Sequence, residues 1–122
     1  VREEWVEQAK DFMDTIKNWL ADNQNEGLID ISEKEIEITE EHIGKYAAPS
    51  LELIIGAESI QVTTIGRFVI GASGRIDIHS YIGRFIVLRH SENGWIYRKE
   101  GQQGSFQPFT EDNFTKILQE LV

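Results

Sequence analysis

Arg75-Ile76-Asp77-Ile78-His79 sets a guanidinium, a carboxylate and an imidazole at alternate positions, a combination suited to binding an anion or moving a proton. Successive side chains of a strand point to opposite faces. Ile76 and Ile78 are therefore expected in a core, with Arg75, Asp77 and His79 along the other side. Neighbours on such a face stand roughly 7 Å apart, beyond hydrogen-bond reach unless a side chain bends. A working site here needs partners from adjacent strands, and Arg84, His90 and Tyr97 are the candidates. Asp77 and His79 would be its reactive pair. The plainer reading of the same residues is a half-buried strand with one solvated face.

A second group is acidic. Glu33, Glu35 and Glu37 alternate along one segment, followed by Glu40 and Glu41. They lack the Asp-x-Asp-x-Asp-Gly pattern of a calcium loop and read as a charged strand edge that a basic partner would meet. The three histidines show no close ligand spacing, so no metal is expected. The absence of cysteine excludes disulfides, thiolate zinc sites, iron–sulfur clusters and cysteine nucleophiles within this chain. Neither GxGxxG nor GxSxG occurs, and no cofactor is implied.

Arg67, Phe68, Arg84, Phe85, Arg89, Trp95, Tyr97 and Arg98 interleave bases with aromatics, as on sheets that bind single-stranded nucleic acid. The net charge of −9 argues against a polyanion. That charge is uneven. Residues 1–60 carry fifteen acids against five bases, whereas residues 61–110 carry three acids against six bases. Such a division steers charged partners, or it neutralises itself where acidic helices lie over an arginine-edged sheet.

These residues need a frame to hold them. The 122 residues suit one domain, 1–122, and a 40% hydrophobic content supplies one core. No run approaches the ~18 apolar residues of a membrane span, so no membrane partner is expected, and the lack of cysteine suits a reducing, cytoplasmic setting. The first residue is valine, which leaves open a processed chain or a piece of a longer one. Trp5, Val6, Ala9, Phe12, Met13, Ile16, Trp19 and Leu20 fall within an arc of about 140° at helical spacing, predicting an amphipathic helix over 2–22 with Gly27 as its stop. Residues 28–38 carry two signals: Ser32 and Glu35 have capping-box spacing, but Glu35-Ile36-Glu37-Ile38 alternates like an edge strand, which is the expected form. Thr39 then reads as the cap of a short helix from Glu40-Glu41, with Ile38 and Ile43 as a hydrophobic staple, Gly44 weakening it and Pro49 ending it.

From 51 to 99 the runs 51–55, 58–65, 67–72, 75–80, 84–90 and 95–99 are rich in β-branched and aromatic residues. Their links are too short for parallel crossovers, and Asn93-Gly94 is a hairpin signal. Thr110 caps a last helix, 110–121, whose stripe is Phe114, Ile117, Leu118 and Leu121, stapled by Phe109 to Phe114. The expected fold is α+β: an antiparallel meander of about five to six strands packed with an N-terminal amphipathic helix and a C-terminal helix.

Size and acidity are similar to those of immunity proteins, antitoxins and secretion chaperones, a likeness carried by no motif. The functional expectation is a non-enzymatic protein-interaction domain. It would meet another, possibly basic protein through the acidic surface of residues 30–41 and an arginine-edged sheet. The alternative is a small-molecule or proton-transfer site on the 75–79 strand.

Overall fold

Alternation along the strands decides which residues meet the helices. In the computed structural model, which describes residues 2–41, 43–67, 72–90 and 94–122, Leu51, Leu53, Ile60, Val62, Ile76, Ile78, Phe85 and Val87 are all buried and share one face of a sheet. Each such side chain removed from water contributes about 1.5–3 kcal/mol. Over this face lie helix α1 (Arg2–Trp19), through Ala9, Phe12, Met13 and Ile16, and helix α3 (Glu111–Leu121), through Phe114, Ile117 and Leu121. Tilted aromatic rings join the layers. Phe12 lies 4.7 Å from Trp95 and 5.0 Å from Phe109, and Trp19 lies 5.7 Å from Phe114.

The sheet has seven strands in sequence order, every neighbouring pair antiparallel. They are β1 (Ile29–Glu40), β2 (Gly44–Ile55), β3 (Glu58–Gly66), β4 (Gly74–His79), β5 (Arg84–His90), β6 (Gly94–Lys99) and β7 (Gln107–Pro108). The meander and the two flanking helices stand as expected. The seventh strand is a two-residue pairing that the sequence reads as the approach to α3. Of the run at 67–72, residues 68–71 lie outside the described residues. So does Asn93 of the hairpin signal, although β5 and β6 pair as far as His90 opposite Gly94.

α1 stops at Trp19, before the expected end at 22, whereas the glycine stop and the Thr110 cap are both used. α1 gives way at Leu20 to a short α2 (Ala21–Asn25), and Gly27 takes a positive φ of 78° as the stop. The Thr110 hydroxyl accepts the Asn113 N–H at 3.2 Å, and Phe109 lies 5.8 Å from Phe114 as the staple requires.

The region after Thr39 corrects the sequence reading. No helix begins at Glu40. β1 continues to Glu40, Gly44 turns the chain at φ 91°, and β2 returns through Pro49, so that each strand is twelve residues long. The local capping signal loses to burial. Ile36 pairs with Ala48 and Ile38 with Tyr46, and this tip of the ribbon packs beside α1. Pro49 lies one residue beyond the last β2–β3 pair, where a strand tolerates a missing N–H.

Burial also changes phase along the ribbon. Near its base Ile29, Leu51 and Leu53 are buried, and near its tip Ile38, Tyr46, Ala48 and Ser50 are, without any shift in pairing register. The ribbon therefore presents opposite faces to the core at its two ends, as a strongly twisted two-stranded ribbon does.

Candidate functional site

β4 delivers its residues as alternation requires. Ile76 and Ile78 enter the core, and Arg75, Asp77 and His79 lie on the face away from α1 and α3. Spacing of roughly 7 Å does not keep Arg75 from Asp77, because the long arginine lies along its own strand. Its Nε donates to Asp77 Oδ1 at 2.7 Å and its Nη2 to Oδ2 at 3.0 Å, a two-pronged pair. Ile86 stands opposite Asp77, and Arg84, two residues before it on β5, reaches diagonally to donate Nη1 to Oδ2 at 2.5 Å. Asp77 is thereby only 1% exposed, while Arg75 and Arg84 remain 29% and 34% exposed. The bond from Asp77 holds Arg75 above its ordinary pKa against the opposing effect of burial.

His79 takes a different partner. Its Nε2 lies 3.3 Å from Thr63 Oγ1 of β3, and burial, then the charge of Arg84, lowers its pKa against the smaller pull of Asp77. The ring is neutral at pH 7. Unfolding restores the ordinary value near 6.5, so the unfolded chain takes up a proton first as pH falls. Stability contributed by neutral His79 is present above about pH 6.5 and is lost as pH falls through the lower folded value. We expect urea midpoints to decline from pH 7.5 to 5.5, and His79→Gln to flatten that decline. An unchanged slope in the variant would assign the decline to other groups.

The structure therefore joins Arg75, Asp77 and Arg84 into a charge triad and sets His79 on Thr63 beside it. Tyr97 is not part of this face. It packs toward the helices, 6.2 Å from Phe85 and 6.1 Å from Phe109. His90 sits at the far end of β5, opposite Gly94. Its oxygens accept three guanidinium hydrogen bonds, and Asp77 lies buried beneath the two arginines. What the triad can do chemically is present fixed N–H donors to an anion.

The interleaved aromatics and bases separate in the same way. Phe85, Trp95 and Tyr97 face the helices, whereas Arg84 and Arg98 face away from them. Arg89, on the aromatic side, stacks over Trp95 with its guanidinium carbon 5.6 Å from the ring centre. Phe68 lies outside the described residues. Over β4–β6 the arginine face offers aliphatic side chains, Ile86, Leu88 and Ile96, rather than a stacking platform.

The acidic group divides as well. Glu33, Glu35 and Glu37 stand exposed on one side of β1, with Lys17 of α1 reaching Glu33 at 2.5 Å and Lys45 of β2 reaching Glu37 at 4.0 Å. Glu41 is exposed in the turn. Glu40 lies on the other side of β1, half-buried, accepting hydrogen bonds from the Tyr46 hydroxyl and, at 2.8 Å, from the Arg67 N–H. Burial, then the Glu40 carboxylate, pushes the Tyr46 phenol well above its ordinary pKa, so it remains a donor.

Two clefts flank the segment Lys45-Tyr46-Ala47. One of about 390 Å³ is lined also by Glu3, Val6 and Glu7 of α1, and one of about 260 Å³ by Glu35, Ile36 and Glu37 of β1. Sequence reasoning found the strand carboxylates but not those of the helix. The first-turn position of Glu3 was the available signal, and it reads equally well as a favourable end of the helix dipole. No protein family, curated protein or solved structure matches the chain. Among the described residues no three His, Asp or Glu side chains gather to hold a metal ion, and no helix is long and apolar enough to cross a membrane.

Proposed function

We propose that this chain is a protein-interaction domain that receives an extended basic segment of another protein in the acidic groove between α1 and the β1–β2 ribbon. One observation carries the reading. Glu3, Glu7, Glu35 and Glu37 surround two adjoining clefts with walls of Val6, Ile36, Tyr46 and Ala47, and among the described residues Lys45 is the one cation lining them. Apolar walls supply contact area, and the carboxylates select the sign of the partner's charge and speed its approach. The excess of acids over bases in residues 1–60 points the same way.

Calorimetric titration with a library of extended peptides alternating Lys or Arg with Val or Leu tests it. Binding is expected to weaken at least tenfold between 50 and 300 mM salt, since exposed charges are screened over about 10 Å at 0.1 M. The double variant Glu35→Lys/Glu37→Lys alters two exposed side chains and is expected to fold normally while losing at least tenfold in affinity. Equal binding of the library's Glu-containing counterparts, or no salt-sensitive binding by any basic member, removes the proposal.

A further inference from the structure

The sheet face opposite the helices carries a second pattern, of opposite sign to the groove. Pairing registers arrange it in rows across the strands. Arg75 lies beside Leu88 and Leu88 beside Ile96, which pairs with Pro108. Asp77 lies beside Ile86 and Ile86 beside Arg98. His79 lies beside Arg84. An aliphatic patch of Ile86, Leu88 and Ile96 is thus bordered by Arg75, Arg84 and Arg98. These aliphatic side chains are half-buried, while their counterparts toward the helices, Phe85 and Val87, are 3% and 0% exposed.

Two of the five N–H donors of Arg75 and one of Arg84 are directed to Asp77; among the described residues the other Arg75 donors have no acceptor, while the Nε of Arg84 faces Glu100. Arg98 is steadied in its turn. It donates to the Gly104 carbonyl at 2.9 Å and stacks 4.4 Å over Phe106. Acids are sparse here. Asp77 is buried beneath its arginines, and Glu100 stands 4.0 Å from Arg84 Nε. Guanidinium groups whose rotamers are already fixed lose less freedom on binding a carboxylate.

We infer that this face binds an acidic amphipathic peptide segment, with its carboxylates on Arg75, Arg84 and Arg98 and its apolar side chains over Ile86, Leu88 and Ile96. The occupant follows from complementarity in both charge and apolarity. Nucleic acid fits less well because Phe85, Trp95 and Tyr97 of the same strands turn to the core and Phe106 is already stacked with Arg98, leaving aliphatic groups over the rest of the face. The surface is distinct from the acidic groove and does not depend on it.

Methyl and amide NMR of the full chain, titrated with a synthetic helix-forming peptide of Glu and Leu, tests the inference. Saturable shifts are expected at Ile86, Leu88 and Ile96. Affinity should fall at least tenfold in Arg98→Glu and in Leu88→Gln, while circular dichroism and thermal midpoints confirm that both variants fold. Glu35→Lys/Glu37→Lys, on the other surface, should leave this binding unchanged. Four results would each overturn the inference: no shifts at millimolar peptide, equal binding of a Lys-Leu peptide, tighter binding of a single-stranded oligonucleotide, or the same methyls moving with protein concentration alone. The last would make the occupant a second copy of the chain.

Discussion

Gly74→Ala is expected to destabilise the domain by about 3 kcal/mol, at the upper end of the 1–3 kcal/mol range for overpacking a filled core. A Cβ at Gly74 would lie 2.3 Å from Trp5 Cζ3, 2.5 Å from Cη2 and 2.6 Å from Cε3. Trp5 is itself 2% exposed and packs 6.1 Å from Trp95, so its ring cannot swing into solvent without vacating the core. Gly74 is not among the glycines with positive φ, and alanine would fit its backbone, which makes the cost steric. A second substitution separates this account from a general weakness of β4. Trp5→Leu forfeits packing but breaks no hydrogen bond of ordinary geometry, because the indole Nε1 has no such partner among the described residues. In a Trp5→Leu background Gly74→Ala should cost about 1 kcal/mol or less, a coupling expected only of residues in contact. Urea unfolding of the four proteins measures it. Additive costs would show that Trp5 and Gly74 do not oppose each other.

That contact illustrates what the sequence could and could not disclose. The stripe containing Trp5, Phe12 and Ile16 announced a helix and its buried side, since helical periodicity and burial coincide along α1. Nothing local announced that Trp5 would land on Gly74, because that depends on how α1 crosses the sheet. Strand β4 was legible for the same reason as α1, with Ile76 and Ile78 on one face and Arg75, Asp77 and His79 on the other. The β1–β2 ribbon was not. Its buried set moves from Leu51 and Leu53 to Tyr46 and Ala48, and Thr39-Glu40-Glu41 imitates a helix start across the tip. A reading by period fails where a twisted ribbon exchanges its faces.

The candidate site follows the same division. Alternation placed Arg75, Asp77 and His79 on one face, while the arginine that reaches Asp77 from β5 is set by a register invisible in a single strand. Glu40 shows the converse. It belongs by sequence to an exposed acidic run, yet its carboxylate is enclosed between the Tyr46 hydroxyl and the Arg67 amide.

Removing the carboxylate at the centre of the triad should have the other large effect. Asp77→Ala is expected to cost about 3 kcal/mol, the lower end of the range for breaking a buried ion pair, because Arg75 and Arg84 are about one-third exposed and regain some hydration. Asp77→Asn should cost nearly as much. The amide keeps the shape, but its NH₂ replaces an acceptor with a donor that faces two guanidiniums. Arg84→Met should cost less than either, since the two-pronged bond from Arg75 still satisfies Asp77. The informative variant replaces all three residues, Arg75→Met/Asp77→Leu/Arg84→Met. Desolvation and attraction nearly cancel in buried ion pairs, so a packed apolar substitute should restore wild-type stability to within about 1 kcal/mol. Denaturant midpoints of the four variants decide the matter. A triple variant as unstable as Asp77→Ala would mean that the triad supports the fold in its own right. A stable triple variant that no longer binds acidic peptides would mean that β4 and β5 carry their charges for recognition, with Asp77 present to hold the arginines in position.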